Sequence, residues 1–305
     1  MGKTFQKWKY KGFKRKKEEK IALSLVVAMC VGVLTSCDVY INDSSEYAQE
    51  DYVTVSFIDV GQGDCILIQT DESNVLIDAG ESENAETVEQ YLTDNGVETL
   101  DYIVATHPHS DHIGALPKII TDMNVEHILQ GKMSDDIVPT TRVYEKYLTA
   151  IADKGLTITS AVVGDVYDLG NAQLEIVAPN SDDYSDLNDI SVVTILTHGD
   201  NKFIFTGDAS KRSEKEMLQN GLLEDVDVLK VGHHGSDTAT TQEFLDAITP
   251  EIAVIMCGVN NKYNHPCEET MDKLYDANIE VYRTDEEGTI HMVSNGSTIE
   301  TTTEK

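Results

Sequence analysis

The chain has 305 residues and a formal net charge of −31, with 54 acidic against 23 basic side chains. Such acidity excludes a protein that wraps duplex DNA through a broad basic face, and it favours solubility over unspecific association with anionic polymers. The length suits one globular domain of ordinary size behind an N-terminal leader.

The positive charge is gathered at the start. Nine of the 23 basic residues lie between Lys3 and Lys20, where only Glu18 and Glu19 oppose them, so the remainder is near −38. Ile21 to Leu34 is an apolar run of 14 residues, short of the roughly 20 that a membrane-spanning helix needs. Leu34-Thr35-Ser36-Cys37 closes it. Basic, apolar, small residues and then Cys is the order of a secretory signal. The tetrapeptide resembles the lipobox of bacterial lipoproteins, which implies that Cys37 becomes the first residue and carries a lipid. Residues 1–37 are therefore expected to be a lipoprotein signal peptide. The protein would be held by its N-terminal lipid on the extracytoplasmic face of the cell membrane. An uncleaved membrane anchor is the alternative. Asp38 to Asp51 is polar, acidic and without apolar period, which predicts a tether. Residues 52–300 are expected to form the domain and 301–305 a short tail.

The domain opens with predicted strands at Val53–Ile58 and Cys65–Ile68, flanking a tight Gly61-Gln62-Gly63-Asp64 turn. A third strand, Val75–Asp78, ends at Ala79-Gly80. Ala85 to Leu92 has helical period, with Asn84 placed to cap it and Asn95-Gly96 to end it. A buried strand at Leu100–Thr106 leads directly into His107-Pro108-His109-Ser110-Asp111-His112. Helices follow at Ile113–Asp122 and Thr141–Lys154. Strands are then predicted at Leu174–Ala178, Ser191–Leu196 and Phe203–Phe205, and a helix at Lys211–Gln219. The strand Val226–Val231 ends at His233-His234-Gly235-Ser236. A helix (Thr241–Ile248), a strand (Ile252–Met256), a helix (Glu268–Ala277) and strands near Ile279–Tyr282 and Thr289–Val293 complete the chain. Two strand-rich halves with interspersed helices suggest two packed sheets covered by helices on the outside.

Cys65, Cys257 and Cys267 follow the leader. Three is odd, so no complete disulfide framework is implied, although Cys257 and Cys267 could pair. Cys65 lies in an alternating strand and reads as a small core residue.

The cluster at 107–112 holds three of the nine histidines in six positions. Imidazole and carboxylate donors suit zinc, manganese or iron, and a pair of such ions generates hydroxide at neutral pH and stabilises displacement at phosphorus or an acyl carbon. Asp78, Asp208, His233-His234 and His265 also stand at or beyond predicted strand ends. Catalytic groups collect in this way on loops at one edge of a rigid scaffold. Any one of them alone would read as an ordinary turn or loop residue.

Phe57-Ile58-Asp59-Val60-Gly61-Gln62-Gly63-Asp64, Leu76-Ile77-Asp78-Ala79-Gly80, the 107–112 cluster, Thr206-Gly207-Asp208 and Val231-Gly232-His233-His234-Gly235-Ser236 together resemble the metallo-β-lactamase fold. The match is to the branch found at the C-terminus of ComEC competence proteins, and it covers about Val53 to Val293. The resemblance implies an α/β fold, an αββα four-layer sandwich, with metals at one edge of the sheets. It implies that His107 and His109 bind one divalent ion, Asp111 and His112 a second, and that Asp208 bridges both. Asp78 would fix the tautomer of a ligand histidine. The superfamily usually supplies a further histidine some 20 residues before the bridging aspartate. Here that segment reads Asn188-Asp189-Ile190-Ser191, which makes Asn188 the expected occupant and a weaker ligand, one that would favour manganese over zinc. The last ligand of the second ion is expected to be His265, with His234 as the alternative. His233 and His234, helped by Ser236, would then bind phosphate and protonate the leaving oxygen.

The function implied is a two-metal hydrolase of phosphodiester bonds, in DNA or in a wall polymer, in which a bridging hydroxide attacks phosphorus. No multi-span segment accompanies the domain, so the expectation is a free-standing lipoprotein with no stable protein partner. A phosphocholine-type esterase on cell-wall polymers is the second reading, with Tyr263 as a candidate to cage a quaternary ammonium. A non-catalytic surface binding module is the third.

Overall fold

The computed structural model describes residues 51–305. The expected signal segment, Cys37 and nearly all of the acidic tether lie outside the described residues. Among the described residues no helix is long and apolar enough to cross a membrane.

One sheet contains β1 (Val53–Phe57), β2 (Ile66–Gln69), β3 (Asn74–Ile77), β4 (Thr99–Ala105), β5 (Asn124–Gln130) and β6 (Ile158–Ser160), joined from the C-terminal side by β14 (Ile290–Ser294) and β15 (Ile299–Thr303). Its spatial order is β15-β14-β1-β2-β3-β4-β5-β6. The second sheet contains β7 (Val166–Asp168), β8 (Gln173–Ala178), β9 (Val193–His198), β10 (Asn201–Phe205), β11 (Val228–Lys230), β12 (Ile252–Ile255) and β13 (Glu280–Arg283), in the order β13-β12-β11-β10-β9-β8-β7. Each sheet is antiparallel on one side and parallel on the other. The parallel runs are β3-β4-β5-β6 and β10-β11-β12-β13. Parallel strands leave all their C-terminal ends on one edge, and ligands bind at that edge in open α/β sheets.

Period-2 alternation sorts the side chains into layers. In β1 and β2, Val53, Val55, Phe57, Ile66 and Ile68 point into the space between the sheets, where they meet Leu196, Phe203, Phe205, Val228 and Val254 of the second sheet. The Phe57 and Phe205 ring centroids are 6.2 Å apart. Cys65, Leu67 and Leu76 point the other way, onto α1 (Ala85–Asp94), α3 (Leu116–Asp122) and α4 (Arg142–Asp153); the short α2 (Ser110–Ile113) lies between α1 and α3 in the chain. On the far side, Leu229, Val231, Ala253 and Ile255 pack on α5 (Lys211–Asn220), α6 (Gln242–Ile248) and α7 (Glu268–Asp276). These three apolar layers make the αββα sandwich. Thr141 and Thr241 cap α4 and α6 by accepting from the Tyr144 and Phe244 amides, and Gly221 ends α5 in the left-handed region.

Several local expectations are corrected. Residues 301–303 are not a tail but part of β15, an edge strand on β14. The helix expected at Ile113–Asp122 is divided: α2 ends at Ile113 and α3 begins at Leu116, and between them Gly114 packs so closely that a Cβ would strike the Ser110 carbonyl. Asn84 makes no capping bond; its amide instead donates to the Val60 carbonyl and ties α1 to the loop after β1. Cys257 and Cys267 are free thiols.

The described chain begins at the end of the sheets remote from the C-terminal edge of the parallel strands. Asp51 stands before β1 and meets His198, the last residue of β9, at 3.1 Å. Asn171 also donates to it.

Candidate metal centre

Four loops converge on one buried spot at the C-terminal edge of the strands. β3 delivers Asp78, β4 delivers the 107–112 cluster, β10 delivers Asp208, and β11 delivers His233 and His234. Asp208 is the hub. Its carboxylate lies 3.7 Å from His107 Nε2, 3.4 Å from His112 Nε2, 3.6 Å from His233 Nε2 and 3.5 Å from His234 Nε2. His107 Nε2 is also 2.9 Å from His109 Nδ1, and His234 Nε2 is 3.4 Å from Asp111.

Those distances are too long for good hydrogen bonds to the carboxylates and too short for indifference. His112 Nε2, His234 Nε2 and Asp208 Oδ1 are buried with no hydrogen-bond partner. Unpaired buried polar atoms are costly, and here they face one another. His107, His109 and Asp208 bring ligand atoms within 4.8 Å of one another, and so do Asp111, His112 and His234. The two groups meet beside Asp208, and their facing imidazole and carboxylate atoms fit divalent cations.

The other nitrogen of each imidazole is held from behind. Asp78, in the left-handed region at φ 56°, puts Oδ2 2.7 Å from His112 Nδ1 and accepts from the Thr106 amide and hydroxyl. His107 Nδ1 has Thr106 Oγ1 at 3.2 Å and Ser191 Oγ at 3.4 Å. His234 Nδ1 is 2.9 Å from the Met256 carbonyl and 3.3 Å from Asp64. His233 and His234 both have positive φ, 47° and 54°. This costly double kink turns both side chains toward Asp208.

Behind the cluster lies a charge pair absent from the sequence expectations. Lys230, wholly buried in β11, pairs with Asp64, which is also buried. Its Nζ also donates to the Gly207 carbonyl, one residue before Asp208. The sequence signal was a lysine inside an apolar strand, a residue type almost never buried without a partner. Asp64 was visible only as a turn residue. The turn is in fact a deep loop: a Cβ on Gly63 would strike the Asp111 carbonyl, and the Asp64 amide donates to that same oxygen.

Electrostatics follow from this crowding. Burial pushes the His107 and His233 imidazoles below their ordinary value. Burial acts the same way on His112 and His234, but the facing carboxylates outweigh it and raise both, His234 to about 9. Burial would raise the Asp64 and Asp208 carboxyls, yet Lys230 beside the first and the surrounding histidines beside the second hold them below the usual range. Asp78 is raised by burial.

Three residues given roles from the sequence stand outside the two ligand groups. His234, not His265, stands with Asp111 and His112, because the left-handed turn after β11 drives it inward while His265 sits on the outer loop after β12. The His265 ring lies 5.6 Å from His233 and 6.5 Å from His234, and its Nδ1 is buried and unpaired. In the segment before β9 it is the Ser191 hydroxyl that reaches His107 and accepts from the Asp208 amide. Asn188 stands in none of the ligand groups among the described residues, although its Oδ1 is buried without a partner. Ser236 is occupied in its own turn, with Oγ 2.9 Å from Thr238 Oγ1. The cleft of about 290 Å³ above the cluster is lined instead by Gln62, Ser110 and Tyr263 beside the histidines.

A model of the metallo-beta-lactamase superfamily matches residues 58–130 and 186–259. The chain is similar to ComE operon protein 3 of Bacillus subtilis, 32% identical over 256 residues, covering 77% of this chain and 32% of the relative. It is 27% identical over 256 residues to competence protein ComA of Neisseria gonorrhoeae, covering 83% of this chain and 34% of that protein. It thus spans about a third of the length of these relatives. Among solved structures, Igni18, a metallo hydrolase of the archaeon Ignicoccus hospitalis, superposes with a TM-score of 0.51 at 17% identity, over 79% of this chain and 98% of that one. At that identity the likeness is one of fold.

Proposed function

Because the chain belongs to the metallo-beta-lactamase superfamily and carries the donor set of a metal-dependent hydrolase, we propose that it hydrolyses phosphodiester bonds with two divalent ions, zinc or manganese. The observation that carries this reading is Asp208 facing four imidazoles at 3.4–3.7 Å across two abutting ligand groups. His107, His109 and Asp208 would hold one ion, and Asp111, His112, His234 and Asp208 the other. Such ions lower the pKa of water and offset charge on phosphate oxygens. Asp78 and the Met256 carbonyl fix the ring orientations of His112 and His234, so the donors are set before substrate arrives. His233 is partly exposed to the cleft and is tied through Nδ1 to Thr238 at 2.9 Å. That leaves its Nε2 to pass a proton to the leaving oxygen.

The net charge of −31 opposes unspecific binding of a polyanion, so the substrate phosphate would be gripped at the metal cluster. The basic-apolar leader and Leu34-Thr35-Ser36-Cys37 support a lipid anchor on the extracytoplasmic face. Cys37→Ala is expected to abolish lipidation and leader processing, since only a thiol accepts the diacylglycerol. Mass spectrometry of the membrane fraction reads this directly, and an intact residue 1 in the wild type would overturn the anchor. The activity is tested by metal analysis of residues 38–305 with bis-p-nitrophenyl phosphate, single-stranded DNA and p-nitrophenylphosphocholine as substrates. Close to two ions per chain and diester cleavage are expected. A fully metallated protein that cleaves none of the three would refute the reading.

A further inference from the structure

We infer that a second concavity beside the metal centre, walled by Tyr263, is a stacking subsite for an unpaired nucleobase, which makes single-stranded nucleic acid the substrate class. The inference rests on the phosphodiesterase reading for its chemistry and on separate residues for its geometry. The second concavity measures about 360 Å³ and shares Gln62, Asp111 and Tyr263 with the cleft over the metal cluster. A group seated in it is therefore continuous with a phosphate at the metals. Tyr263 is 50% exposed, an aromatic face presented at the mouth. It is not on a loose tip. The His265 ring lies parallel to it within 23°, 5.6 Å away. Asn261 locks the loop from inside: its Nδ2 donates to the Gly258 and His265 carbonyls, and its Oδ1 accepts from the Tyr263 and His265 amides. Gly258 presses on the Gly61–Gln62 turn so closely that a Cβ would meet the Gln62 amide nitrogen at 2.8 Å, and its own amide donates to Gln62 Oε1. Gln62 Nε2 is left without a partner.

The chemistry selects among ligands. A quaternary ammonium is bound by several aromatic faces and no competing cation. Here there is one ring, and Lys262 Nζ already lies 4.8 Å from its centroid. That arrangement repels a choline headgroup. It suits a planar, neutral ring whose own backbone phosphate can draw the exposed Lys262 aside. Base–aromatic stacking needs only one rigid platform and tolerates any sequence. The base must be unpaired to reach it. Glu81 and Glu83 on the opposite wall accept hydrogen bonds but repel phosphate, which leaves the metal side as the seat of the phosphate.

The test is a cycle in protein and ligand. Phosphorothioate-linked, fluorescein-labelled dT10 and an abasic oligomer of equal length are titrated by fluorescence polarisation against the metal-loaded wild type, Tyr263→Ala and Tyr263→Phe. The wild type and Tyr263→Phe are expected to prefer dT10 by about 5- to 100-fold, the range of one base–aromatic stack, and Tyr263→Ala by less than twofold. A preference that survives in Tyr263→Ala, or a wild type that ignores the bases, overturns the subsite. So does a wild type that binds neither oligomer while phosphocholine inhibits its hydrolysis of bis-p-nitrophenyl phosphate. A protein that cleaves no diester but shows the expected cycle would sink the phosphodiesterase reading and keep the subsite.

Discussion

The Lys230 ammonium and the Asp64 carboxylate pair in complete burial, and the pair crosses from one sheet to the other directly behind the metal centre. Asp64 belongs to the loop after β1 and Lys230 to β11. Asp64 touches His234 and lies 3.9 Å from His112, while Lys230 holds the Gly207 carbonyl beside Asp208. The pair is thus joined to ligand residues from both halves of the fold.

Lys230→Met should cost about 3–5 kcal/mol of stability, the usual penalty for stranding one buried charge. Adding Asp64→Asn removes the stranded charge and should recover most of that loss. Urea denaturation of the two single variants and the double variant reads both effects. A double variant no more stable than Lys230→Met would show that the pair is not coupled.

Removing the hub should empty the site more completely than removing a spoke. Asp208→Ala deletes a donor of one ligand group that also faces His112 and His234 of the other at 3.4 and 3.5 Å, and it leaves the ions' charge uncompensated, whereas His107→Ala affects one group. Metal analysis after dialysis is expected to find less metal in Asp208→Ala. Equal contents would contradict the bridging position of Asp208.

The later histidines separate by role. His234→Ala should lose about one ion per chain, and His265→Ala should keep both. His233→Ala should retain metal and lose about 10²- to 10⁴-fold in rate, the range for a positioned proton donor. That loss should shrink for p-nitrophenolate esters, whose leaving group needs little protonation. Full occupancy in His234→Ala with metal loss in His265→Ala would restore the assignment expected from sequence.

Without metal, protons take over part of the ions' task, and stability should depend on pH accordingly. His112 and His234 are raised above the ordinary 6.5, so their contribution is complete below that value and is lost as pH rises, for His234 through about 9. His107 and His233 are lowered by burial, so stability is lost as pH falls below 6.5 toward their folded values. The melting temperature in EDTA should therefore peak near pH 6.5. The fall on the alkaline side from His234 is on the order of 3 kcal/mol. The metal-loaded protein should be flatter there. A melting temperature that climbs from pH 6.5 to 9 in EDTA would be inconsistent with this arrangement.

The long elements and the metal cluster were legible in sequence because each carried its own local signal. Strand alternation marked β1 to β4, and three imidazoles in six positions marked 107–112. What was not legible depended on partners distant in the chain. β5 exposes most of its first half, so no strand was predicted there. β15 is an edge strand of Thr and Glu whose assignment comes from β14. Asp64 gained its meaning from Lys230, 166 positions later in the chain, and the approach of His234 to Asp111 and His112 follows from two positive φ angles that no spacing rule encodes.

Asp51 meets His198 at the floor of the sandwich, while the metals' seat is at the roof. The first described residue and the candidate ligand cluster therefore lie at opposite ends of the strands, so a change at Asp51 or His198 leaves the cluster's own contacts untouched.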